Sequence, residues 1–311
     1  METLPQTDSQ YMTVPVETTL ARAPILGVSL ICRNEEKFVE DCIRSIFSQS
    51  ISPELLVVID DGSTDNTPMI VEKLAKEFPI HYEMINAPRI FKGCNIAVAI
   101  DASLRRMMKL REVDWIVRMD CDARLPNPLT FELMIENMRK TPKLGVTGAF
   151  FGKKMVRHVC DAVRLYRREC LEEIMNTNII NPGRYPLMYG HDSFAIFRAN
   201  WLGWDCKPTD VEYIDLRPYK RNLWQWYQTG WFRYHNGFGL VHSVGTAFRY
   251  IRASPIILGS LVCFLSWAVC HLRRGKIVED EYRDFMRKEF DQVVVDGLKK
   301  LVHGESKELI Y

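Results

Sequence analysis

The segment "RMDCDARLP", residues 118 to 126, places Asp120 and Asp122 one residue apart immediately after the apolar run "WIV". Two carboxylates that close repel each other, and each raises the other's proton affinity unless a cation lies between them. At the end of a strand, a one-residue gap lets both turn toward one point in the crevice beyond. A divalent cation, Mn²⁺ or Mg²⁺, held by one or two carboxylates and completed by phosphate oxygens, suits that point. A second acidic cluster follows another apolar run: "VVIDDGSTDNT" sets Asp60 and Asp61 before Gly62, which permits a tight turn, and Ser63, Thr64 and Asp65 suit the start of a helix. A third, "RNEE" at residues 33 to 36, follows "GVSLIC". Taken singly, each is also an ordinary feature, since turns use Asp, Gly and Ser and acidic pairs are frequent on surfaces.

All three clusters fall where a β-rich run gives way to a turn. Phe38, Val39, Cys42, Ile43, Ile46 and Phe47 recur at three- and four-residue spacing and predict a helix after the first strand. "ELLVVID" predicts the next strand, and a helix opens after "GSTDNTP", where Asp65 or Thr67 can cap and Pro68 suits the first turn. "IHYEMI", a helix from about Gly93 to Lys109, and "DWIVRMD" continue the alternation. The pattern predicts a mostly parallel sheet with helices on both faces, which binds ligands beyond the carboxyl ends of its strands. Past "GVTGAFF" it predicts a long charged helix from about Met155 to Met175, an irregular stretch around Asn181 to Pro186, and a strand in "FAIFRANWL" that turns into a short helix.

With 311 residues, 47% of them hydrophobic, the chain can bury a full core in one large domain or two smaller ones. Lys and Arg number 41 against 39 Asp and Glu, so a net charge of +2 gives no reason to expect a nucleic-acid partner. The nine cysteines form no Cys-x-x-Cys pair and read as reduced thiols of a cytosolic domain. Residues 1–23, polar and carrying Pro5 and Pro15, read as a flexible tail without a signal-peptide pattern.

Together and in order, "SLICRNEEKFVEDCIRSIFSQ", "LVVIDDGSTDNT" and "IVRMDCDARLPNPL" resemble the family 2 glycosyltransferases of the GT-A fold, over roughly residues 24 to 215. The resemblance implies an α/β chain with a Rossmann-like, nucleotide-sugar-binding sheet. In that family the end of the first strand and the Asp-Asp-Gly-Ser turn hold the nucleotide, and the Asp-x-Asp pair binds a divalent metal on the diphosphate. Carried over by position, Cys32, Asn34, Glu35 and Asp61 border the nucleotide, with Glu35 and Asp61 toward base and ribose. Asp120 and Asp122 then face the phosphates and the metal. Cys32 stands where many relatives have proline. Arg89 and Lys92 in "PRIFKGCN" add positive charge near the diphosphate or base, or else are solvated loop charges.

An inverting sugar transfer also needs a general base to take the acceptor's proton. Relatives carry an Asp in a Glu-Asp or Thr-Glu-Asp motif shortly after a strand like "FAIFR". Here "TDVEYIDL" puts Asp210 in that place, with Thr209 where glutamate is usual, and Asp192 in "GHDSF" and Asp215 compete with it. Processive relatives such as cellulose synthases carry a Gln-x-x-Arg-Trp motif beyond the base. Gln228, Trp231, Arg233 and Tyr234 in "QTGWFRYHNG" stand in similar company, with different spacing and Tyr for Trp, and are read as an acceptor wall and interface anchor.

Ala253 to Cys270 carries no charge over 18 residues; as a helix it would reach about 27 Å against a hydrocarbon core of about 30 Å. Arg249 and Arg252 precede it, and Arg273, Arg274 and Lys276 follow. A single crossing would leave one basic cluster outside, against the positive-inside tendency. A helix or bent pair lying in the cytoplasmic leaflet, bent near Pro255 and Gly259, keeps both clusters on one face. A last, charged helix follows from Glu279, with Phe285, Phe290, Val293, Val294 and Leu298 as its apolar stripe.

The expected organisation is therefore the tail, a GT-A catalytic domain over 24–223, an aromatic interface segment with membrane-associated helices over 224–275, and an amphipathic helix over 276–311. There is some likeness to dolichyl-phosphate-sugar synthases as well as to cellulose-synthase-like enzymes. The implied activity is metal-dependent, inverting transfer from GDP-mannose or a UDP-sugar to a lipid-linked or glycan acceptor at the cytoplasmic membrane face. Two other classes compete. A sugar nucleotidyltransferase should show a Gly-rich phosphate loop near the first strand, and "ICRNEEKF" has no glycine. A membrane-attached nucleotide-binding scaffold without activity is the other, since fold does not fix function, and the intact acidic positions in all three clusters argue against it.

Overall fold

The computed structural model describes residues 24–86, 95–151, 159, 162–217, 222–249, 255 and 257–302. The expected tail over 1–23, the charges expected of Arg89, Lys92 and Arg252, and the side chains of Arg249, Val293, Val294 and Leu298 lie outside the described residues.

The alternation read from the first half is present. β1 (Leu26–Cys32), α1 (Val39–Phe47), β2 (Leu55–Asp60), α2 (Thr67–Leu74), β3 (Ile80–Met84), α3 (Asn95–Leu110) and β4 (Trp115–Asp120) follow one another. β3, β2, β1 and β4 lie side by side, all parallel. β2, β1 and β4 are nearly continuous apolar runs because helices cover both faces, whereas the edge strand β3 alternates apolar and polar residues. In β2, Leu56 and Val58 join the core under α1 and α2, and Val57 and Ile59 join the core under α3.

Next come β5 (Ala123–Arg124), α4 (Thr130–Lys140), β6 (Leu144–Gly148), β7 (Phe150–Phe151), β8 (Val163–Arg167), α5 (Arg168–Asn176), α6 (His191–Trp201), β9 (Asp205–Cys206) and β10 (Glu212–Asp215). β8 inserts antiparallel between β4 and β6, and β9 closes the edge, giving a mixed seven-stranded sheet in the order β3-β2-β1-β4-β8-β6-β9. A small second sheet, β5-β10-β7, stands beyond the end of β4.

Two expectations are corrected here. The long helix expected from Met155 to Met175 is instead a strand, β8, followed by the shorter helix α5, with residues 152–158 outside the description. Val163 and Leu165 face one core while Tyr166 faces the other, so the burial has a period of two. The charge of Arg164 hid that period, because Arg164 is buried, donating from Nη1 to the Tyr166 hydroxyl and to the Asp192 carbonyl. The strand expected in "FAIFRANWL" is part of the helix α6, whose buried Phe194, Ala195, Arg198 and Ala199 follow helical spacing. Again a buried arginine masked the pattern: Arg198 makes a two-pronged ion pair with Glu279 and lies over the Trp201 ring.

The C-terminal part is helical: α7 (Leu223–His235), α8 (Leu240–Arg249), α9 (Leu258–Arg273) and α10 (Asp280–Val302). Asn222 and Gln225 form a capping box that starts α7. α7 and α9 touch so closely that a Cβ on Gly230 would collide with the Cys263 carbonyl. Ser266 Oγ donates to the Tyr227 carbonyl and the Trp267 indole to that of Phe238. α10 is held by Arg283, which donates to the carbonyls of Tyr234 and His235, and by the Tyr282 hydroxyl on Asn236. Among the described residues, no helix is long and apolar enough to cross a membrane.

Candidate active site

The ends of β1, β2 and β4 meet at one edge of the sheet, and the loops beyond them are tied together by hydrogen bonds. After β1, Asn34 takes a left-handed conformation (φ 56°) and exchanges bonds with the turn after β2: its N–H donates to Ser63 Oγ at 2.8 Å, and its Oδ1 accepts from the Thr64 N–H at 2.8 Å. The Glu35 N–H donates to Thr67 Oγ1 at 2.7 Å, and the Asp61 N–H to the Cys32 carbonyl. Gly62 turns the chain at φ 72°, where a Cβ would press on Asn86 Oδ1. Asp60 is consumed by this frame, accepting from the Ser63 N–H at 2.7 Å and the Tyr82 hydroxyl at 3.1 Å. Asp61 remains at the crevice with Arg33 Nη1 3.5 Å from its Oδ2. The frame thus presents Glu35, Asp61 and Arg33 on one lip. Asp65 caps the following turn by accepting from the Thr67 N–H.

Across from them, β4 delivers the acidic pair. Cys121, in the turn that follows β4, is buried in the core, whereas Asp120 and Asp122 on either side of it are partly exposed. Asp120 pairs through Oδ1 with Arg118 Nη2 at 2.6 Å, and Arg118 is buried. Asp122 is partly exposed, and burial pushes its pKa above the ordinary aspartate range, with Arg217 opposing the rise and Asp215 adding to it. Glu35 is likewise raised by burial, again opposed by Arg217.

Of the three candidate bases, Asp215 lies nearest the pair. It sits opposite Ala123 across the β10–β5 ladder, and the Leu216 N–H donates to the Asp122 carbonyl. Asp192 lies in the first turn of α6, its carbonyl held by Arg164, which is the cross-strand neighbour of Arg118. Asp210 is exposed at the tip of a tight turn closed by the Val211 N–H on the Thr209 carbonyl. It stands five residues before Asp215, on the order of 15 Å along an extended chain.

Arg217 is the residue that sequence reasoning missed. Its guanidinium pairs with Glu35 Oε2 and places Nε 3.4 Å from Asp122 Oδ2, above the Phe38 ring. Glu35 stands 182 positions before it in sequence, so spacing could not reveal the pair; the signal was its place two residues after Asp215. The acceptor wall expected of Gln228 and Tyr234 is not formed by their side chains, which are buried within the helical bundle. Arg233 donates to Thr246 Oγ1 between α7 and α8, and Trp231 packs against His235. The aromatics that α7 does expose are Trp224 and Tyr227, stacked at 5.2 Å.

Among the described residues, no cluster of three or more His, Cys, Asp or Glu forms a cage for a metal ion. The donor set instead suits a cation carried in by phosphate: two partly exposed carboxylates, each drawing a guanidinium.

Comparison with known proteins accords with this geometry. Residues 28–203, more than half of the chain, match Glycosyl transferase family 2. The chain belongs to that family. Among curated relatives of this family 2 glycosyltransferase, the poly-beta-1,6-N-acetyl-D-glucosamine synthase of Staphylococcus epidermidis is 29% identical over 125 residues, covering 39% of this chain and 28% of that protein. Its counterpart from Staphylococcus aureus (strain COL) is 26% identical over 147 residues, covering 44% and 33%. The matches span about a third or less of those relatives' length. Among solved structures, the mannosyltransferase PcManGT from Pyrobaculum calidifontis, in complex with GDP-Man and Mn²⁺, superposes with a TM-score of 0.52 at 17% identity, over 92% of this chain and 89% of that one. The fold is thus α/β of GT-A type with a mixed central sheet.

Proposed function

We propose that this glycosyltransferase transfers a sugar, with inversion, from a nucleoside-diphosphate sugar bound beyond β1, β2 and β4 with a divalent cation, Mn²⁺ or Mg²⁺. The reading is carried by Asp120 and Asp122, partly exposed on either side of buried Cys121 at the end of β4, with Arg217 joining Asp122 to Glu35 of the lip. When bound, the cation neutralises charge developing on the diphosphate leaving group. Asp120 and Asp122 would hold it; Glu35 and Asp61 would position the nucleotide, on the stitched loops of Asn34 and Cys32.

The base must face the anomeric carbon from the side opposite the diphosphate. That requirement disfavours Asp215, which borders Asp122 and so belongs to the leaving-group side. Asp210 keeps the role, with an exposed carboxylate set apart from the acidic pair, and Asp192 is the alternative.

For the acceptor, a lipid-linked or glycan substrate at the cytoplasmic membrane face is supported by α9. Leu258, Leu261, Leu265, Val269 and Leu272 recur at three- and four-residue spacing and are 40–80% exposed, while Gly259, Ser260, Cys263 and Ser266 face inward. A helix with its apolar stripe outward and small residues inward, ending in Arg273, Arg274 and Lys276, suits the surface of an anionic bilayer.

Incubation of purified protein and Mn²⁺ with UDP-glucose, UDP-N-acetylglucosamine and GDP-mannose tests the reading. Release of the nucleoside diphosphate from one donor above the others is expected. No release from any nucleotide sugar and no binding of UDP or GDP would overturn it.

A further inference from the structure

We infer that Arg217 is an internal counter-cation, which closes the donor-free crevice and competes with the divalent metal for Asp122. The inference rests on the proposal that Asp122 carries the metal, and it adds a form of regulation to that site.

The geometry has three parts. First, the Arg217 guanidinium spans the crevice: Glu35 belongs to the lip after β1, Asp122 to the end of β4, and one side chain contacts both. Second, its backbone is fixed by hydrogen bonds, while its side chain lies at the surface. The Arg217 N–H donates to Asp215 Oδ1 at 2.9 Å, and the preceding Leu216 N–H is held by the Asp122 carbonyl. The side chain remains 46% exposed, resting on the Phe38 ring. A planar cation on a half-buried aromatic ring at the surface can leave without disturbing the core. Third, the charge balance demands a cation here. Glu35 and Asp122 are both partly desolvated, and Asp215 borders Asp122, so without Arg217 the carboxylates would repel one another.

A metal ion on Asp122 Oδ2 and the Arg217 nitrogen 3.4 Å from that oxygen draw on the same carboxylate oxygen. Arg217 therefore weakens metal binding until a nucleotide diphosphate arrives to share the cation, and it swings off both carboxylates as the donor enters. Metal and donor then load together, and the empty crevice stays closed. Arg33, the other arginine on the nucleotide lip, contacts Asp61 at 3.5 Å and no carboxylate of the β4 end, so it provides the control for charge alone.

The test is Mn²⁺ binding without nucleotide, read from the free-ion signal in electron paramagnetic resonance. Wild type is compared with Arg217→Gln, Arg217→Lys, Arg33→Gln and Asp122→Asn, each checked for folding by thermal melting. Arg217→Gln should bind Mn²⁺ roughly fivefold more tightly, the effect of releasing one partly exposed ion pair. Arg217→Lys, which keeps the charge without the fork, should fall between and carries the test if the glutamine variant does not fold. Equal or weaker binding by both Arg217 variants, or equal tightening by Arg33→Gln, would overturn the inference. Mn²⁺ binding in wild type that Asp122→Asn leaves unchanged would instead remove the metal reading itself, and this inference with it.

Discussion

The proposed metal site at the end of β4 depends on the residue between its two acids, Cys121, being apolar and buried. With the intervening side chain packed in the core and Asp120 and Asp122 both partly exposed beside it, the repulsion between them would be available to a cation. The two carboxylates are not equivalent. Asp120 is held by buried Arg118, while Asp122 faces the more exposed Arg217, so in the proposed site Asp122 would be the ligand more readily surrendered to metal. The base obeys a different constraint, distance from the leaving group. Asp210→Asn is expected to lower kcat by about 100-fold with donor affinity retained, the signature of a missing proton acceptor. Pre-steady-state turnover with titrated donor separates the two; if Asp192→Asn shows that pattern and Asp210→Asn does not, the role belongs to Asp192. Strand periodicity made the acidic pair legible in the sequence. Arg217 was not legible, because its contacts join β10 to the loop after β1 and no local pattern encodes them.

Among the elements, those with uninterrupted apolar spacing, β1 through β4 with α1 to α3, were readable. β8 and α6 were misread for one shared reason: each buries an arginine, Arg164 and Arg198, whose charge imitates a solvent-facing position. Each is stabilised by partners from distant elements, the Asp192 carbonyl and Glu279, which only the folded chain supplies. The α7–α9 seam depends on an absent side chain. At Gly230 a methyl group would strike the Cys263 backbone and the Ser266 side chain, so the helices would have to part. Gly230→Ala should therefore destabilise the helical part by about 2 kcal/mol despite its better helix propensity, the usual cost of overpacking. Chemical denaturation measures this. An unchanged or raised midpoint would show that the helices are not so close.

At the scale of the molecule, a GT-A sheet is joined to a helical part whose outward face on α9 is apolar. If that stripe meets lipid, the protein should co-sediment with vesicles containing anionic phospholipid and remain bound in high salt, because apolar burial outlasts screening. Replacing Leu261 and Leu265 by Ser should release it without lowering thermal stability, since both are exposed. A wild-type protein that stays in the supernatant at every salt concentration would contradict the membrane reading and leave the catalytic one standing. The catalytic reading turns on Asp122. Titration calorimetry of UDP and of GDP, each with and without Mn²⁺, should show for wild type that Mn²⁺ tightens one nucleotide markedly. Asp122→Asn, folded as judged by circular dichroism, should lose that gain. Nucleotide binding that is indifferent to Mn²⁺, or enhanced equally in Asp122→Asn, would contradict a metal-bridged donor site at the end of β4.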